Sequence, residues 1–131
     1  MMLSRRTLFV TVALAMLPMT ALALSPGNKP YDQAQFDAAQ AAGRPILIEV
    51  TAPWCSVCKA QAPILTRLKS DPKFKDMVVY EIDFDSQKDL LRKLNVRSQS
   101  TLIVFKGKNE AGRSTGDTNP ASIAALLGKA I

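Results

Sequence analysis

Cys55 and Cys58 are the only cysteines in a chain of 131 residues that contains no histidine. They stand in Trp54-Cys55-Ser56-Val57-Cys58-Lys59, where an apolar run of strand length, Ile46 to Val50, gives way to a helical pattern. Two cysteines three apart on the first turn of a helix lie on one face, near enough to close a small disulfide ring. A sulfur at a helix N-terminus meets free backbone N–H groups and the positive end of the helix dipole, which favour thiolate over thiol. This casts Cys55 as the nucleophile toward a partner's disulfide and Cys58, one turn deeper, as the thiol that resolves the mixed disulfide.

Three plainer readings compete. A zinc half-site needs two more ligands, which this chain cannot supply as Cys or His. A purely structural disulfide over so short a loop contributes little, because the entropic gain grows with loop size. Inert core cysteines are the third, and an aromatic directly before C-x-x-C after a strand-to-helix pattern argues against them. Without histidine there is also no Cys–His protease pair and no imidazole base. Glu49 interrupts the apolar run of Ile46 to Val50. A carboxylate buried there has a raised pKa, since burial disfavours its charged form, and near Cys58 it can take and return the resolving thiol's proton. The alternative is that Glu49 reaches the surface or pairs with a cation. Glu81, if it also faces inward, pushes one of the two pKa values further up.

The elements that must position these groups follow from pattern and punctuation. Asp32 and Gln35 form a capping box for a short helix stopped by Gly43. A strand over Ile46–Val50 leads into a helix from about Cys55 to Lys69, interrupted and kinked by Pro63. Asp71-Pro72 opens a helical turn, Met77 to Phe84 reads as the second central strand, and Ser86 with Asp89 caps a helix bearing Leu90, Leu91 and Leu94. Thr101 to Phe105 is a third strand, Gly107-Lys108-Asn109 turns into a weak fourth near Ala111–Thr115, and Asn119-Pro120 starts the last helix. The order α-β-α-β-α-β-β-α implies an α/β domain, a mixed sheet of about four strands covered on both faces by helices.

Ahead of that domain, Arg5 and Arg6 precede the apolar stretch Leu8–Leu17, and Ala21-Leu22-Ala23 supplies an A-x-A site, which together read as a signal peptide cleaved near Ala23. The stretch falls short of the 18–20 cleanly apolar residues of a membrane anchor. Ser4-Arg5-Arg6-Thr7-Leu8-Phe9 also fits a twin-arginine export signal in part. The expected organisation is a leader at 1–23, a linker at 24–31 and one domain at 32–131, in the periplasm. Removing the leader leaves 131 − 23 = 108 residues and takes the formal charge to +6 − 2 = +4. The remaining cations are scattered among acids, a soluble basic surface with no nucleic-acid footprint. In the periplasm a disulfide persists.

Residues 32–128 resemble a thioredoxin-family domain. The resemblance is carried by Trp54-Cys55-x-x-Cys58-Lys59, by Pro63 five residues after the second cysteine, by Glu49 six before the first, by Asp85 and Gly116, and by Val96-Arg97-Ser98 and Thr101-Leu102-Ile103-Val104-Phe105-Lys106. It implies a thioredoxin-like three-layer α/β/α sandwich and a redox-active disulfide with no cofactor and no metal ligand. It further implies a groove built from Trp54, Ser56, Val57, Gln99, Ser100 and Thr101, with Trp54 as the wall beside the sulfurs. The chain departs from the family at Ser100, where the family has a cis-proline. A cis bond without proline costs about 2.5–4 kcal/mol, so a trans Gln99–Ser100 bond, a reshaped groove and an altered choice of partner are expected. The family proline is also thought to keep metals off the thiolates, so a metal or iron–sulfur binding module using the same cysteines is one alternative function, and a non-catalytic adaptor is another. Ser56-Val57 places no charge between the cysteines, which points to a reducing or intermediate potential. The layout Ala42-Gly43-Arg44-Pro45…Cys55-x-x-Cys58…Asp71-Pro72 is similar to the C-terminal periplasmic domain of the DsbD electron transporter, a reductase. The implied partners are protein disulfides and a membrane thiol electron donor, with the protein a monomer.

Overall fold

Side chains alternate across the central strands and divide the core into two layers. Ile46, Ile48 and Val50 with Tyr80 and Ile82 pack on one side of the sheet against Phe36, Leu91 and Val96. Leu47, Val79, Leu102 and Val104 pack on the other against Leu65, Ile123, Leu126 and Leu127. Burial on both faces explains why these strands read as nearly unbroken apolar runs. The computed structural model describes residues 24–131, so the leader read in residues 1–23 lies outside the described residues.

The elements are β1 (Lys29–Pro30), α1 (Gln33–Ala41), β2 (Pro45–Thr51), α2 (Ser56–Lys69), a 3-10 turn (Pro72–Phe74), β3 (Val78–Asp83), α3 (Lys88–Lys93), β4 (Thr101–Lys106), β5 (Asn109–Thr115) and α4 (Pro120–Gly128). The sheet runs β1-β3-β2-β4-β5. β1, β3 and β2 are parallel, and β4 and β5 add in antiparallel sense. The mixed, two-faced α/β sheet is as expected, but it has five strands rather than about four. The fifth is a two-residue edge strand, Lys29–Pro30, inside the segment read as a linker. Two residues are too few to leave a period in the sequence, and proline is tolerated at an edge.

Local signals account for most boundaries. Asp32 accepts a hydrogen bond from the Gln35 N–H at 2.8 Å and caps α1. Gly43 ends it with φ +70°, a left-handed conformation open to glycine. α2 continues through Pro63, which leaves only the Lys59 carbonyl without its i+4 donor. The expected Ser86 cap does not form. The Ser86 hydroxyl bonds Asp83 instead, and Gln87, at the N-cap of α3, turns its side chain to accept from the Asp83 N–H at 2.8 Å. Asn119 caps α4 through the Ala121 and Ser122 N–H groups. Among the described residues no helix is long and apolar enough to cross a membrane.

Candidate active site

β2 delivers the chain to the end of the sheet where its strand finishes, and α2 begins after four intervening residues, with Cys55 as its N-cap. The Cys55 sulfur accepts the Cys58 N–H at 3.0 Å, and the two cysteines are joined in a disulfide. That N–H is one of the unpaired donors of the helix's first turn, the interaction that favours a thiolate there once the bond is reduced. Cys55 is 2 % exposed and Cys58 8 %, whereas Trp54 beside them is 58 % exposed. Trp54 is nonetheless held: its indole N–H donates to Asp85 at 2.8 Å, and its ring lies edge-on to Phe84. Trp54 thus stands as a fixed, exposed aromatic next to Cys55 in sequence.

The groove residues divide. Trp54 and Ser56 are exposed and Val57 and Gln99 half-buried, but the Ser100 and Thr101 side chains are buried. Thr101 Oγ1 donates to the Ser98 carbonyl at 2.8 Å and lies 3.0 Å from the Thr115 hydroxyl, so it holds the hairpin rather than facing a partner. All peptide bonds among the described residues are trans, Gln99–Ser100 included. Ser100 has φ +59°, which turns its N–H inward to the Val50 carbonyl at 2.8 Å. Its own carbonyl accepts from the Gly116 N–H and from Gln61 Nε2. The Gln99 carbonyl accepts from the hydroxyls of both Ser98 and Ser100. The main chain of this loop is therefore engaged within the fold.

Glu49 is 3 % exposed, with a carboxylate shared between Asn28 Nδ2 at 2.8 Å and Lys69 Nζ at 3.3 Å. Both sequence alternatives hold together: the acid is buried, and it pairs with a cation. Burial raises its pKa most, Lys69 and the hydrogen bonds from Asn28 and Lys69 oppose, and the Glu81 charge adds to the rise. Glu81 stands opposite Glu49 in the parallel register of β2 and β3, and Asn28 Nδ2 bridges the two, reaching Glu81 at 2.9 Å. Asn28 is fixed in turn by Lys69 Nζ, 2.6 Å from its Oδ1. Cys58 lines an open cavity of about 320 Å³ with Thr51, Lys59, Glu81 and Asp83, while Glu49 is not on its wall. Among the described residues no group of three or more His, Cys, Asp and Glu is placed to hold a metal ion.

Three contributors were not singled out from sequence. Asn28 lay in the segment read as a linker, and Lys69 was one cation among many. Gln61, 3 % exposed, ties α2 to the Ser100 and Asp117 carbonyls. Its signal was available: a polar residue in the buried stripe Cys58, Gln61, Leu65.

The raised pKa of Glu49 makes a stability prediction. With the folded-state value above the unfolded one, the penalty for burying the charge is absent below the unfolded pKa. It grows as pH rises through the folded value. Glu49→Gln removes it, and Lys69 keeps Asn28 as a partner. Thermal unfolding should show a higher Tm for the variant at pH 8, by roughly 4–8 °C for a penalty on the order of 1 kcal/mol, and a smaller gain at pH 4. Equal gains at both pH values would mean that no charge penalty exists.

Residues 28–129 match the thioredoxin family. The chain is 34% identical over 90 residues to Thioredoxin-2 of Saccharomyces cerevisiae, covering 68% of this chain and 84% of that protein. It is also 34% identical over 82 residues to Thioredoxin Asp f 29 of Aspergillus fumigatus, covering 63% and 74%. The crystal structure of Trxlp from Edwardsiella tarda superposes with a TM-score of 0.74 at 42% identity, over 76% of this chain and 97% of that one. The chain belongs to the thioredoxin family, whose thiol–disulfide oxidoreductase chemistry runs on the Cys55–Cys58 disulfide without a cofactor.

Proposed function

We propose that the chain is an exported thioredoxin that reduces disulfides of periplasmic proteins and acts as a monomer re-reduced by a membrane thiol donor. The observation that carries the chemistry is the disulfide at the N-cap of α2, with Trp54 exposed beside it. In the reduced protein the Cys55 thiolate attacks a target disulfide, forms a mixed disulfide and expels one target thiolate. Cys58 then loses its proton, with Glu49 as the nearby buried acid, and attacks the Cys55 sulfur. The Cys55–Cys58 bond forms, the mixed disulfide breaks, and the second target thiolate leaves. Two electrons pass from the dithiol to the target, and a thiol donor must return them.

Direction and compartment rest on the sequence. Ser56 and Val57 add no charge to stabilise the Cys55 thiolate, and a less stabilised thiolate makes a weaker oxidant. The likeness to the C-terminal domain of the DsbD electron transporter supports the same direction. Export rests on Arg5-Arg6, the apolar stretch after them and Ala21-Leu22-Ala23. Equilibration of the purified protein with dithiothreitol or glutathione should give a reduction potential below about −220 mV, nearer thioredoxin at about −270 mV than the strong periplasmic oxidant at about −120 mV. A value near −120 mV would make it an oxidant and overturn the reductase reading. Recovery of the mature chain in an osmotic-shock fraction, with an N-terminus near Leu24, checks export.

A further inference from the structure

The buried acid of this site is not one residue. Glu49 and Glu81 lie side by side on β2 and β3, joined by the two hydrogen bonds of one amide nitrogen of Asn28. They differ in access. Glu49 is 3 % exposed and turned to Lys69, whereas Glu81 is half-buried and lines the cavity that Cys58 also lines. Two further contacts hold the Glu81 carboxylate in place: Thr51 Oγ1 donates to its Oε1 at 3.2 Å, and the Ser25 N–H donates to its Oε2 at 3.1 Å. Thr51 lines the same cavity.

Two carboxylates share that cavity with Cys58: Asp83, whose carboxylate is taken up by the Ser86 N–H and hydroxyl, and Glu81. In the disulfide, Cys58 Sγ lies 3.9 Å from the Val50 carbonyl, which cannot accept a proton permanently. A carboxylate on the same open cavity can, at hydrogen-bond reach or through one solvent molecule. We propose that Glu81 takes up the Cys58 proton across this cavity during resolution, and that Glu49 behind it acts as a positioning residue, so that the two carboxylates form one proton-carrying unit. This rests on Cys58 being the resolving thiol, as proposed above. The step balances: Cys58 Sγ–H gives its proton to Glu81, the sulfur pair forms the Cys58–Cys55 bond, and the Cys55–target bond breaks. The second target thiolate then leaves, and the proton passes to it or to solvent.

The charged groups facing the unit are Lys69 from α2 at the Glu49 end, and Lys59 from α2 with Asp83 from β3 on the cavity wall. On β1, Lys29 is paired in register with Tyr80 and so belongs to the opposite face, while Pro30 stands beside Glu81. The neighbour of Glu49 on β4 is Leu102. The Glu81 charge adds to the raised pKa of Glu49, after burial as the main cause, so the charge on the more accessible acid is felt at the buried one.

The test is the pH profile of the resolution step. Reduced protein is mixed with a peptide disulfide, and release of the second peptide thiol is followed from pH 5 to 9. Wild type is compared with Glu81→Gln, Glu49→Gln, the double variant and Glu81→Asp, each first shown to be folded by circular dichroism. Glu81→Gln should slow resolution about tenfold near pH 7 and flatten the profile, below the 10²–10⁴-fold typical of general bases because solvent substitutes in part. The double variant should be no slower than the slower single one, and Glu81→Asp should keep part of the wild-type profile. A wild-type profile in Glu81→Gln with a changed one in Glu49→Gln would overturn the proposal while leaving Glu49 as the acid. Unchanged profiles in both would overturn both. Multiplying effects would mean two independent bases and sink the unit.

Discussion

Cys55→Ser is expected to bring disulfide reduction down to the uncatalysed level, and Cys58→Ser to stop turnover while trapping the target as a mixed disulfide. The asymmetry follows from position. Cys55 is the N-cap whose sulfur receives the Cys58 N–H, so it is the one whose thiolate the helix terminus favours. Cys58 lies in the first turn of α2, joined to Cys55, and lines the open cavity that Glu81 also lines. Serine in place of Cys55 leaves no nucleophile for the first attack. Serine in place of Cys58 leaves that attack intact and removes the only thiol placed to resolve it. Loss of the short disulfide loop costs the oxidised protein about 2 kcal/mol, so each variant is compared with reduced wild type. The readouts are turnover with dithiothreitol as donor and a target-bound band on non-reducing gels. Trapping by Cys55→Ser instead would reverse the assigned roles, and full activity in that variant would favour the adaptor reading.

What was legible in the sequence is what repeats or punctuates. The apolar runs at Ile46–Val50 and Thr101–Phe105, the stripe Ile123, Leu126 and Leu127 and the turn and cap residues Asp32, Gly43 and Asn119 each leave a local pattern, and each lands in the expected element. The reactive centre was equally open to reading, because C-x-x-C after a strand carries its geometry in its spacing. The rest depends on pairings remote in sequence. β1 is two residues long, and Asn28 meets Glu49 and Glu81 across separations of 21 and 53 residues. No period or cap signal reports such a contact. Ser86 shows the limit of local signals, since its hydroxyl found the Asp83 carboxylate nearer than the helix it was expected to cap. The burial of Glu49 is legible from its strand, but the register of β2 against β3 sets Glu81 beside it and the packing around them leaves only Glu81 on the cavity wall, neither of which a local pattern reports.

Ser100 stands where the family resemblance implies a cis-proline, and substitution there should be strongly asymmetric. Proline fixes φ near −65° and has no N–H, whereas Ser100 sits at φ +59° and donates to the Val50 carbonyl at 2.8 Å. Ser100→Pro must therefore break a buried hydrogen bond and rebuild the loop between Val96 and Thr101. The expected cost is about 3 kcal/mol or more, a fall in Tm of at least about 12 °C. Glycine adopts positive φ without strain, so Ser100→Gly should be at least as stable as wild type, with a gain of up to about 1 kcal/mol reduced by losing the hydroxyl's bond to the Gln99 carbonyl. The order Gly, Ser, Pro in thermal unfolding is the test of the loop's conformation. The functional consequence lies in the same hydrogen bonds. With the Ser100 N–H and carbonyl and the Gln99 carbonyl all engaged inside the fold, an extended peptide is expected to find little free main chain here, and recognition to shift toward Trp54, Val57 and the Gln99 side chain. Trp54→Ala should then raise KM for protein disulfides more than it lowers kcat, since it removes binding surface that is already present before the sulfurs react. If Ser100→Pro kept the wild-type Tm and bound peptides more tightly, the loop would be able to adopt a proline-compatible form at no cost, and the engaged main chain could not be what sets partner choice.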